Sequence, residues 1–234
     1  MSKILDTFDT FIVDKSNFFA LAACRAILKY PSQYYNPLWI YGASACGKTH
    51  LLNALSDKLE RGQERVVLFL TAEVLVDAMM SKFETNDEAW SLIENADVLI
   101  VDNIELLKGM NSMQEEIAAL SLKKLADKQQ VVLASNCPPV ELHVLYRVLR
   151  EGSRMGLYAE IKLPSAALKR KYVERFMENE PFQITEDAKT FLISNLRTLS
   201  QLTGALQTAF FSSLKDGLSI DEAWALNYIS KVKE

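Results

Sequence analysis

Residues 42–49 read Gly42-Ala-Ser-Ala-Cys-Gly47-Lys48-Thr49 and match the phosphate-loop pattern G-x-x-x-x-G-K-T. The two glycines let the backbone bend closely around phosphate oxygens. The helix that should follow presents free N–H groups and the positive end of its dipole to those oxygens. The Lys48 ammonium would neutralise β- and γ-phosphate charge, and the Thr49 hydroxyl is a ligand for Mg²⁺. The stretch therefore predicts a nucleotide site.

The segments around this loop have the pattern that such a site needs. The apolar run Leu38-Trp-Ile-Tyr41 predicts a buried strand, and leucines on one face of Gly47–Arg61 predict a helix. Further apolar runs predict strands at 66–70, 98–101 and 131–135, and helical spacing predicts helices at 17–30, 72–83 and 113–128. Alternating strands and helices predict a parallel sheet that is covered on both faces.

The pattern changes after Pro164. From there on, helical spacing predicts only helices, at about 165–178, 185–196, 199–214 and 219–232. We therefore predict an α/β nucleotide-binding core over residues 1–162 and a small helical subdomain over residues 163–234.

The composition is that of an ordinary globular protein. Of the 234 residues, 49% are hydrophobic and 24% are charged, which excludes a disordered or collagen-like chain. The net charge of −4 argues against a dedicated nucleic-acid-binding module, which usually carries a basic surplus. Three widely spaced cysteines cannot build a disulfide framework. Without an apolar run of membrane-spanning length or a signal peptide, we expect a cytoplasmic protein with no membrane partner.

Polar residues follow two of the predicted strands. Asp102 comes directly after Val98–Val101 and is the expected second carboxylate of a Mg²⁺–nucleotide site. Asn103 stands where a carboxylate would polarise the attacking water, and its amide cannot take up a proton. It therefore predicts slow or absent hydrolysis with nucleotide binding intact. Asn136 is a candidate sensor of the γ-phosphate or the water, and the alternative is a residue that only turns the chain.

Together these motifs resemble the AAA+ domain of the bacterial replication initiator DnaA and of Hda, its stand-alone regulatory relative. The matching stretches cover nearly the whole chain: Phe8–Asn17, Tyr35–Gly42, Thr49–Leu52, Asp97–Asp102, Gln114–Glu116, Ser135–Pro139, Gly156-Leu157 and Leu202–Leu206. A phosphate loop alone would specify only a P-loop protein, whereas Phe-Asp-x-Phe…Asn together with Tyr-Asn-Pro-Leu is more specific. The resemblance implies an AAA+ core with a five-stranded parallel sheet, followed by an all-helical lid.

The resemblance also implies which residues contact the nucleotide. It places Ile12, Val13 and Asn17 near the adenine. It places the phosphates against the phosphate loop and the start of its helix, at Gly42, Ala45, Cys46, Gly47, Lys48, Thr49 and His50. The expected cofactors are ATP or ADP with Mg²⁺, and the ion would be held by Thr49 and Asp102.

The arginine finger of the family is displaced in this sequence. When the chain is aligned on Gly156-Leu157, the finger position is occupied by Gly152. Arg154 or Arg150 could substitute after a local shift, and we take Arg154 as the candidate catalytic finger. The alternative for Arg154 is an exposed arginine on a loop. A finger supplied in trans is worth about 10³–10⁵ in rate, so its displacement affects hydrolysis strongly.

Two further family positions are altered. Ser200 replaces the sensor arginine of the lid, and Arg197, about one helical turn earlier on a similar face, is the candidate replacement. Met110 and Ser112 occupy the places of the basic residues that bind single-stranded DNA in the family, and only Lys108 is nearby. We therefore expect DNA binding to be weak or indirect.

The partners follow from the resemblance as well. We expect AAA+ contacts with a full-length DnaA-type initiator or with a second copy of the chain. Clamp binding is doubtful, because Met1–Thr7 contains no peptide rich in Gln, Leu and Pro.

The first functional hypothesis is a regulator of chromosomal replication initiation that binds nucleotide and hydrolyses it weakly or not at all. Asn103, Gly152 and Ser200 favour it. The alternative is a helicase-loader-like or transposition-helper ATPase acting on DNA. A third possibility is an adaptor whose nucleotide only stabilises the fold.

Overall fold

The computed structural model describes residues 6–62, 65–81, 88–153, 156–178, 182–216 and 220–232. These residues form two compact units. The first unit contains the described part of Met1–Phe11 together with Asn17–Ile161. The second contains Ile12–Ser16 together with the described part of Lys162–Glu234. The sequence pattern does not indicate that the short segment Ile12–Ser16 groups with the helical unit.

A five-stranded parallel sheet forms the centre of the first unit. Its strands are β1 (Leu38–Tyr41), β2 (Val67–Thr71), β3 (Val98–Asp102), β4 (Gln130–Ser135) and β5 (Leu157–Glu160). Their spatial order is β2-β3-β4-β1-β5, and every neighbouring pair is parallel. Strands β3 and β4 are buried along their whole length, as expected for the inner strands of a covered sheet. The predicted five-stranded parallel sheet is thus confirmed.

Six α-helices accompany the sheet in the described part of the first unit. They are α1 (Phe18–Lys29), α2 (Lys48–Arg61), α3 (Ala72–Ser81), α4 (Glu88–Asn95), α5 (Asn111–Ala126) and α6 (His143–Gly152), with 3₁₀ helices at Ile104–Leu107 and Pro139–Glu141. The apolar patterns indicate four of these helices and strands β1 to β4 but miss α4, α6 and β5. Strand β5 has four residues and lies at the sheet edge, where a strand needs no long apolar run. The last two residues of the predicted helix 72–83 lie outside the described residues.

The register of the sheet brings the carboxyl ends of β1, β3 and β4 to the same end of the sheet. Tyr41 pairs with Ser135, and the N–H of Gly42 donates to the Ser135 carbonyl at 3.2 Å. Asp102 is the last residue of β3. Ligand sites of open parallel sheets lie beyond the carboxyl ends of the strands. The phosphate loop, Asp102 and Asn136 therefore lie at the same end of the sheet, where the strands have their carboxyl ends.

Buried side-chain amides form hydrogen bonds at the opposite end of the sheet, where the strands begin. The Asn36 side chain accepts the Val131 N–H at 2.9 Å and donates to the Gln129 carbonyl at 2.8 Å. The fully buried Gln130 side chain donates to the Asn36 amide oxygen at 3.2 Å and accepts the Ser32 N–H at 2.9 Å. These bonds satisfy backbone groups at the start of β4 and give the Tyr-Asn-Pro-Leu motif a structural role.

A buried lysine of α5 forms hydrogen bonds with residues at the same end of the sheet. Lys124 is 1% exposed, and its ammonium donates to the Ala96 carbonyl at 2.9 Å and the Gln129 amide oxygen at 3.0 Å. A longer contact of 3.3 Å reaches the Glu94 carbonyl. Burial lowers the pKa of Lys124 to about 8, although nearby carboxylates partly oppose that shift.

In its described part, the second unit is helical, with an isolated β-bridge between Ile184 and Ile220. Its helices are α7 (Ala166–Met177), α8 (Glu186–Asn195), α9 (Leu199–Asp216) and α10 (Glu222–Val232). The Thr185 hydroxyl caps α8 by accepting the Ala188 N–H, as its residue type predicts. The buried Lys169 ammonium donates to the Leu196 carbonyl at 2.9 Å, just past the end of α8. None of the helices among the described residues is long and apolar enough to cross a membrane.

Candidate nucleotide-binding site

The phosphate loop joins β1 to α2 in a conformation that depends on its glycines. A Cβ at Gly42 would lie 2.0 Å from the Ile161 carbonyl oxygen, so no other residue fits there without moving the backbone. Gly47 immediately precedes α2 with φ of +103°, which is strained for any other residue. Ala45 adopts a left-handed φ of +58° without being a glycine. Strained backbone of this kind is typical of binding loops.

The Lys48 ammonium lies over the loop that precedes it. It donates to the Gly42 carbonyl at 2.7 Å and the Ala43 carbonyl at 3.1 Å. The residue is only 7% exposed, so these bonds compensate for the desolvation of its charge. The positive charge is therefore held inside the curve of the loop, where a phosphate group would approach.

The loop helix and β3 meet through two polar side chains. The Thr49 hydroxyl donates to Asp102 Oδ2 at 2.7 Å, and the Asn103 N–H donates to Asp102 Oδ1 at 2.8 Å. Asp102 is 3% exposed, so both carboxylate oxygens are fixed in a buried position. The sequence places Thr49 and Asp102 53 residues apart, and the structure brings them into direct contact.

This pair suits a magnesium ion. A hydroxyl oxygen and a carboxylate oxygen are hard donors, and Mg²⁺ typically takes one or two such protein ligands together with substrate phosphates and water. Thr49 and Asp102 would hold the ion, and Lys48 and the loop N–H groups would face the phosphates. Bound Mg²⁺ would neutralise phosphate charge.

Asn103 directly follows the Asp102 carboxylate. Its φ of +59° is left-handed, a conformation that asparagine and aspartate both tolerate better than other side chains. The backbone geometry therefore gives no reason for an amide rather than a carboxylate at this position. A carboxylate at Asn103 could accept a proton from an attacking water, whereas the amide can only form hydrogen bonds with it.

The end of β4 presents one polar side chain and ties down another. Ser135 is fully buried, and its hydroxyl accepts the Trp39 indole N–H at 2.9 Å and donates to the Cys137 carbonyl at 2.6 Å. Asn136 is exposed, and its N–H donates to a Glu105 carboxylate oxygen at 3.0 Å. Asn136 rather than Ser135 is therefore available as a sensor.

Glu105 lies beside the candidate site, and the sequence reasoning did not single it out. It lies in the 3₁₀ helix after β3, and it fixes the loop that carries Asn136. The nearby ion pair between Lys108 and Glu141, at 2.6 Å, joins the same two segments. An acidic residue three positions after Asp102 is the only signal that could have pointed to it.

A buried glutamine extends this connection to α6. Gln114 is fully buried; its amide nitrogen donates to the Leu107 carbonyl at 2.9 Å. Its amide oxygen accepts the N–H groups of Val144 at 3.2 Å and Leu145 at 3.3 Å. The N–H groups at the start of α6, which have no partner within the helix, are thus bonded to a side chain from α5. Gln114 belongs to the Gln-Glu-Glu stretch, and its contacts give that glutamine a structural role.

His50 contacts the N-terminal segment of the chain. Its Nε2 lies 3.0 Å from the Thr7 carbonyl, and its Nδ1 lies 3.3 Å from an Asp6 carboxylate oxygen. The Phe11 ring packs edge-on against the imidazole, with 5.2 Å between ring centroids. Asn53 donates to the other Asp6 oxygen at 2.8 Å. These contacts indicate that His50 positions the segment leading to the predicted adenine residues.

The predicted adenine residues divide between the two units. Asn17 is 4% exposed and directly precedes α1 in the first unit. Ile12 and Val13 are half-buried and belong to the segment that groups with the second unit. That segment is held in the second unit by a bond from the Ser165 hydroxyl to Asp14.

Cys46 lies inside the phosphate loop, 6% exposed. Burial raises the pKa of its thiol, although the Lys48 charge opposes the shift. The neutral, buried thiol fits a space-filling role in the loop, and it would lie 3.1 Å from a Cβ built at Gly42.

The arginine candidates have different outcomes. Arg154 lies outside the described residues, so its role as a finger stays a prediction. Arg150 is exposed in the last turn of α6. At Gly152, a Cβ would lie 2.6 Å from the Leu122 side chain, so the glycine allows α6 to approach α5 closely. The expectation for Arg197 was wrong in its geometry. Arg197 precedes α9, whose start is capped by Thr198, so it does not share a helix face with Ser200.

Comparisons with known proteins agree on one family. A family model described as the bacterial DnaA ATPase domain matches residues 4–160. The chain is 32% identical over 223 residues to the chromosomal replication initiator protein DnaA of Corynebacterium jeikeium. That alignment covers 93% of this chain and 38% of the initiator. The chain therefore spans well under two thirds of the length of this relative.

Solved structures show the same similarity. Domain III of the Thermotoga maritima replication initiation protein DnaA has a TM-score of 0.82 at 26% identity, covering 98% of this chain and 97% of that one. AMPPCP-bound DnaA from Aquifex aeolicus has a TM-score of 0.78 at 25% identity, covering 92% of this chain and 66% of that one. The likeness therefore extends over both predicted parts of the chain.

Proposed function

The chain belongs to the bacterial DnaA ATPase domain family, and we propose that it is a regulatory member which binds ATP or ADP with Mg²⁺ and hydrolyses ATP weakly or not at all. It would regulate the initiation of chromosomal replication through AAA+ contacts with a DnaA-type initiator or with a second copy. The observation that carries the proposal is a difference between two groups of residues. The residues expected to bind phosphate and Mg²⁺ are present, whereas a residue expected to assist hydrolysis is replaced. Thr49 and Asp102 are in contact at 2.7 Å, whereas Asn103 supplies an amide.

The binding half of the proposal rests on the phosphate loop. Gly42 and Gly47 allow the backbone conformation of the loop, the Lys48 ammonium is held inside it, and oxygen donors for Mg²⁺ are already adjacent. A preorganised site of this kind loses little conformational entropy when the nucleotide binds. The DnaA of Aquifex aeolicus that resembles this chain is described as bound to AMPPCP, an ATP analogue. That relative supports an adenine nucleotide as the ligand.

The proposed regulatory role depends on the absence of two groups that normally assist ATP hydrolysis, a general base and an arginine finger. Loss of a general base typically lowers a rate by about 10²–10⁴, and loss of a finger by about 10³–10⁵. Asn103 removes the first group, and Gly152 stands at the aligned finger position. A bound nucleotide would then persist and bias the conformation that a partner meets.

The test is ATP turnover by the purified chain, alone and mixed with the host's full-length initiator, together with titrations of ATP and ADP. We expect tight binding, negligible turnover alone, and faster hydrolysis by the initiator in the mixture. A Lys48→Ala variant, which should not bind nucleotide, is the control for contaminating ATPase. Robust turnover by the chain alone, abolished by Arg154→Ala, would contradict the proposal. Stimulation of that turnover by single-stranded DNA or a helicase would favour a helicase-loader-like or transposition-helper ATPase instead.

A further inference from the structure

The side chains of Trp39 in β1 and Ser135 in β4 lie on the same face of the sheet. Trp39 pairs with Leu133 and Tyr41 pairs with Ser135 in the register of these strands, so Ser135 lies two positions further toward the phosphate loop. Side chains two residues apart in a strand share a face, and Trp39, Tyr41 and Leu133 pack in one apolar core. Ser135 is therefore a polar residue at the end of an apolar face, next to the candidate nucleotide site.

The hydrogen bonds of this pair have a fixed direction. Both residues are fully buried. The indole N–H of Trp39 can only donate, so Ser135 Oγ accepts it, at 2.9 Å. The single hydroxyl proton of Ser135 is then donated to the Cys137 carbonyl, at 2.6 Å. A row of two hydrogen bonds therefore runs from the core to the backbone beyond the strand, and bonds in such a row strengthen one another.

The backbone is held on both sides of Asn136. On one side, the Asn136 N–H donates to a Glu105 carboxylate oxygen at 3.0 Å. On the other side, the Cys137 carbonyl accepts the Ser135 hydroxyl, and Pro138 follows with a φ of −58° that its ring fixes. The Asn136 side chain itself is exposed. A candidate sensor is thus presented to solvent on a backbone that is fixed from the core.

A buried serine can also form a hydrogen bond that connects nothing beyond its own helix. The Ser121 hydroxyl is buried and donates to the Ile117 carbonyl one turn earlier in α5, at 2.7 Å. The bonds of Ser135 differ, because they join β1, the end of β4 and the loop that carries Asn136. They link the core of the first unit to the place where a γ-phosphate would be recognised.

We propose that Trp39 and Ser135 are positioning residues for Asn136, and that the Trp39 indole N–H responds to the γ-phosphate. This inference rests on the proposed nucleotide-binding function. An Asn136 amide bonded to a γ-phosphate oxygen of ATP would displace the Cys137 carbonyl and change the lengths of the two bonds behind it. ADP lacks that phosphate and would leave them unchanged. The core of the first unit would then differ between the two nucleotides.

The first test observes the indole N–H groups of the full chain by two-dimensional proton–nitrogen NMR, with Mg²⁺ and saturating AMPPCP or ADP. The chain has three tryptophans, and the signal that Trp39→Phe removes is that of Trp39. We expect this signal to differ between the two complexes, whereas those of Trp90 and Trp224 should coincide. Asn136→Ala should abolish the difference, because the displacement would pass through this residue.

The second test measures dissociation constants for AMPPCP and ADP by calorimetry. Ser135→Ala should weaken AMPPCP binding about fivefold or more, because hydrogen bonds to charged groups are among the stronger ones, and leave ADP binding within twofold. Trp39→Phe keeps the Ser135 hydroxyl, so its loss should be smaller, about twofold to threefold. Circular dichroism shows whether each variant is folded.

Matched controls make the same substitutions elsewhere in the first unit. Ser121→Ala removes a buried hydroxyl, and Trp90→Phe alters a ring that packs against the same core. Both should leave the two affinities within twofold.

Equal weakening of AMPPCP and ADP by Ser135→Ala would overturn the inference, because the role of the pair would then be only structural. So would a Trp39 signal at the same position in both complexes, or a difference that persists in Asn136→Ala. Failure of the unaltered chain to bind either nucleotide would contradict the proposed function itself, and this inference with it.

Discussion

The Thr49 hydroxyl donates a 2.7 Å hydrogen bond to Asp102 Oδ2, which links the first turn of α2 to the last residue of β3. Asp102 is almost completely buried, and its other oxygen accepts the Asn103 N–H. The carboxylate therefore has little freedom to rotate. The fold itself therefore sets the two oxygen donors of the proposed ion site at adjacent positions.

This contact predicts how magnesium dependence is lost. Thr49→Ala removes one oxygen donor and the bond that orients Asp102, so the gain in ATP affinity on adding Mg²⁺ should fall by about tenfold or more. Thr49→Ser keeps the hydroxyl and is the control that should retain the gain. ATP titrations with and without Mg²⁺ measure it. A Thr49→Ala variant with an unchanged Mg²⁺ effect would show that Asp102 alone holds the ion.

Asn103 predicts that hydrolysis can be gained by one substitution. Asn103→Asp restores a proton acceptor in a backbone conformation that aspartate tolerates, so the single-turnover rate should rise about tenfold or more. Asn103→Ala is the control that should stay at the low rate. Quenched-flow measurement of ADP formation from saturating enzyme gives the rates. An unchanged rate in Asn103→Asp would mean that the amide does not limit hydrolysis.

The bond between Glu105 and the Asn136 N–H predicts a role in distinguishing ATP from ADP. Glu105→Ala releases the loop that carries Asn136, so the ratio of ADP to ATP dissociation constants should move several-fold toward one. Glu105→Gln retains an acceptor and should keep most of the ratio. Glu115→Ala, at an exposed position of α5, is the unrelated control. The role in sensing is wrong if Glu105→Ala weakens both nucleotides equally, because the change would then be general.

Lys124 predicts a specific pH dependence of stability. Its pKa is about 8 in the folded chain and near 10.4 when unfolded, so the unfolded state binds more protons between these values. The free energy of unfolding of the unaltered chain, relative to that of Lys124→Met, should therefore rise by up to about 2 kcal/mol as the pH increases from 8 to 9.5. Below pH 8 both states are protonated, and the difference should be constant.

Urea unfolding of both proteins at pH 7, 8 and 9.5 measures this difference. Lys123→Met is the control, because the exposed Lys123 pairs with Glu94 at 2.9 Å, which raises its pKa. That variant should show no rise relative to the unaltered chain over the same interval. A flat difference for Lys124→Met as well would place the folded pKa of Lys124 close to its unfolded value.

Much of the candidate site is local in the sequence and could be predicted from it. The phosphate loop is continuous, because its glycines and the following helix together create the cradle. Asp102 follows an apolar run that predicts a buried strand. Parallel strands align their carboxyl ends, so Thr49 and Asp102 were expected at the same end of the sheet, whereas their direct contact also depends on the strand order that the structure shows. The change to helical spacing after Pro164 similarly indicates the second unit.

Other features depend on partners that no spacing connects. Glu105 reaches a backbone N–H 31 residues away, and Gln114 bonds groups about 30 residues away at the start of α6. Polar side chains at such positions look like ordinary surface residues in a sequence. The Arg197 prediction was wrong because a Thr198 cap starts α9 after it, which helical spacing alone did not reveal.

By itself, the sequence determined the phosphate-loop motif, the strand-and-helix alternation and the asparagine that follows Asp102, because each depends on neighbouring residues and side-chain chemistry. Only the tertiary structure decided which polar groups are buried and what they bond. Lys124, Gln130 and Gln114 are buried because the ends of strands and helices leave backbone groups that side chains must satisfy. It also placed residues from the ends of α1 and α2, Lys29 and Lys58 among them, around one pocket.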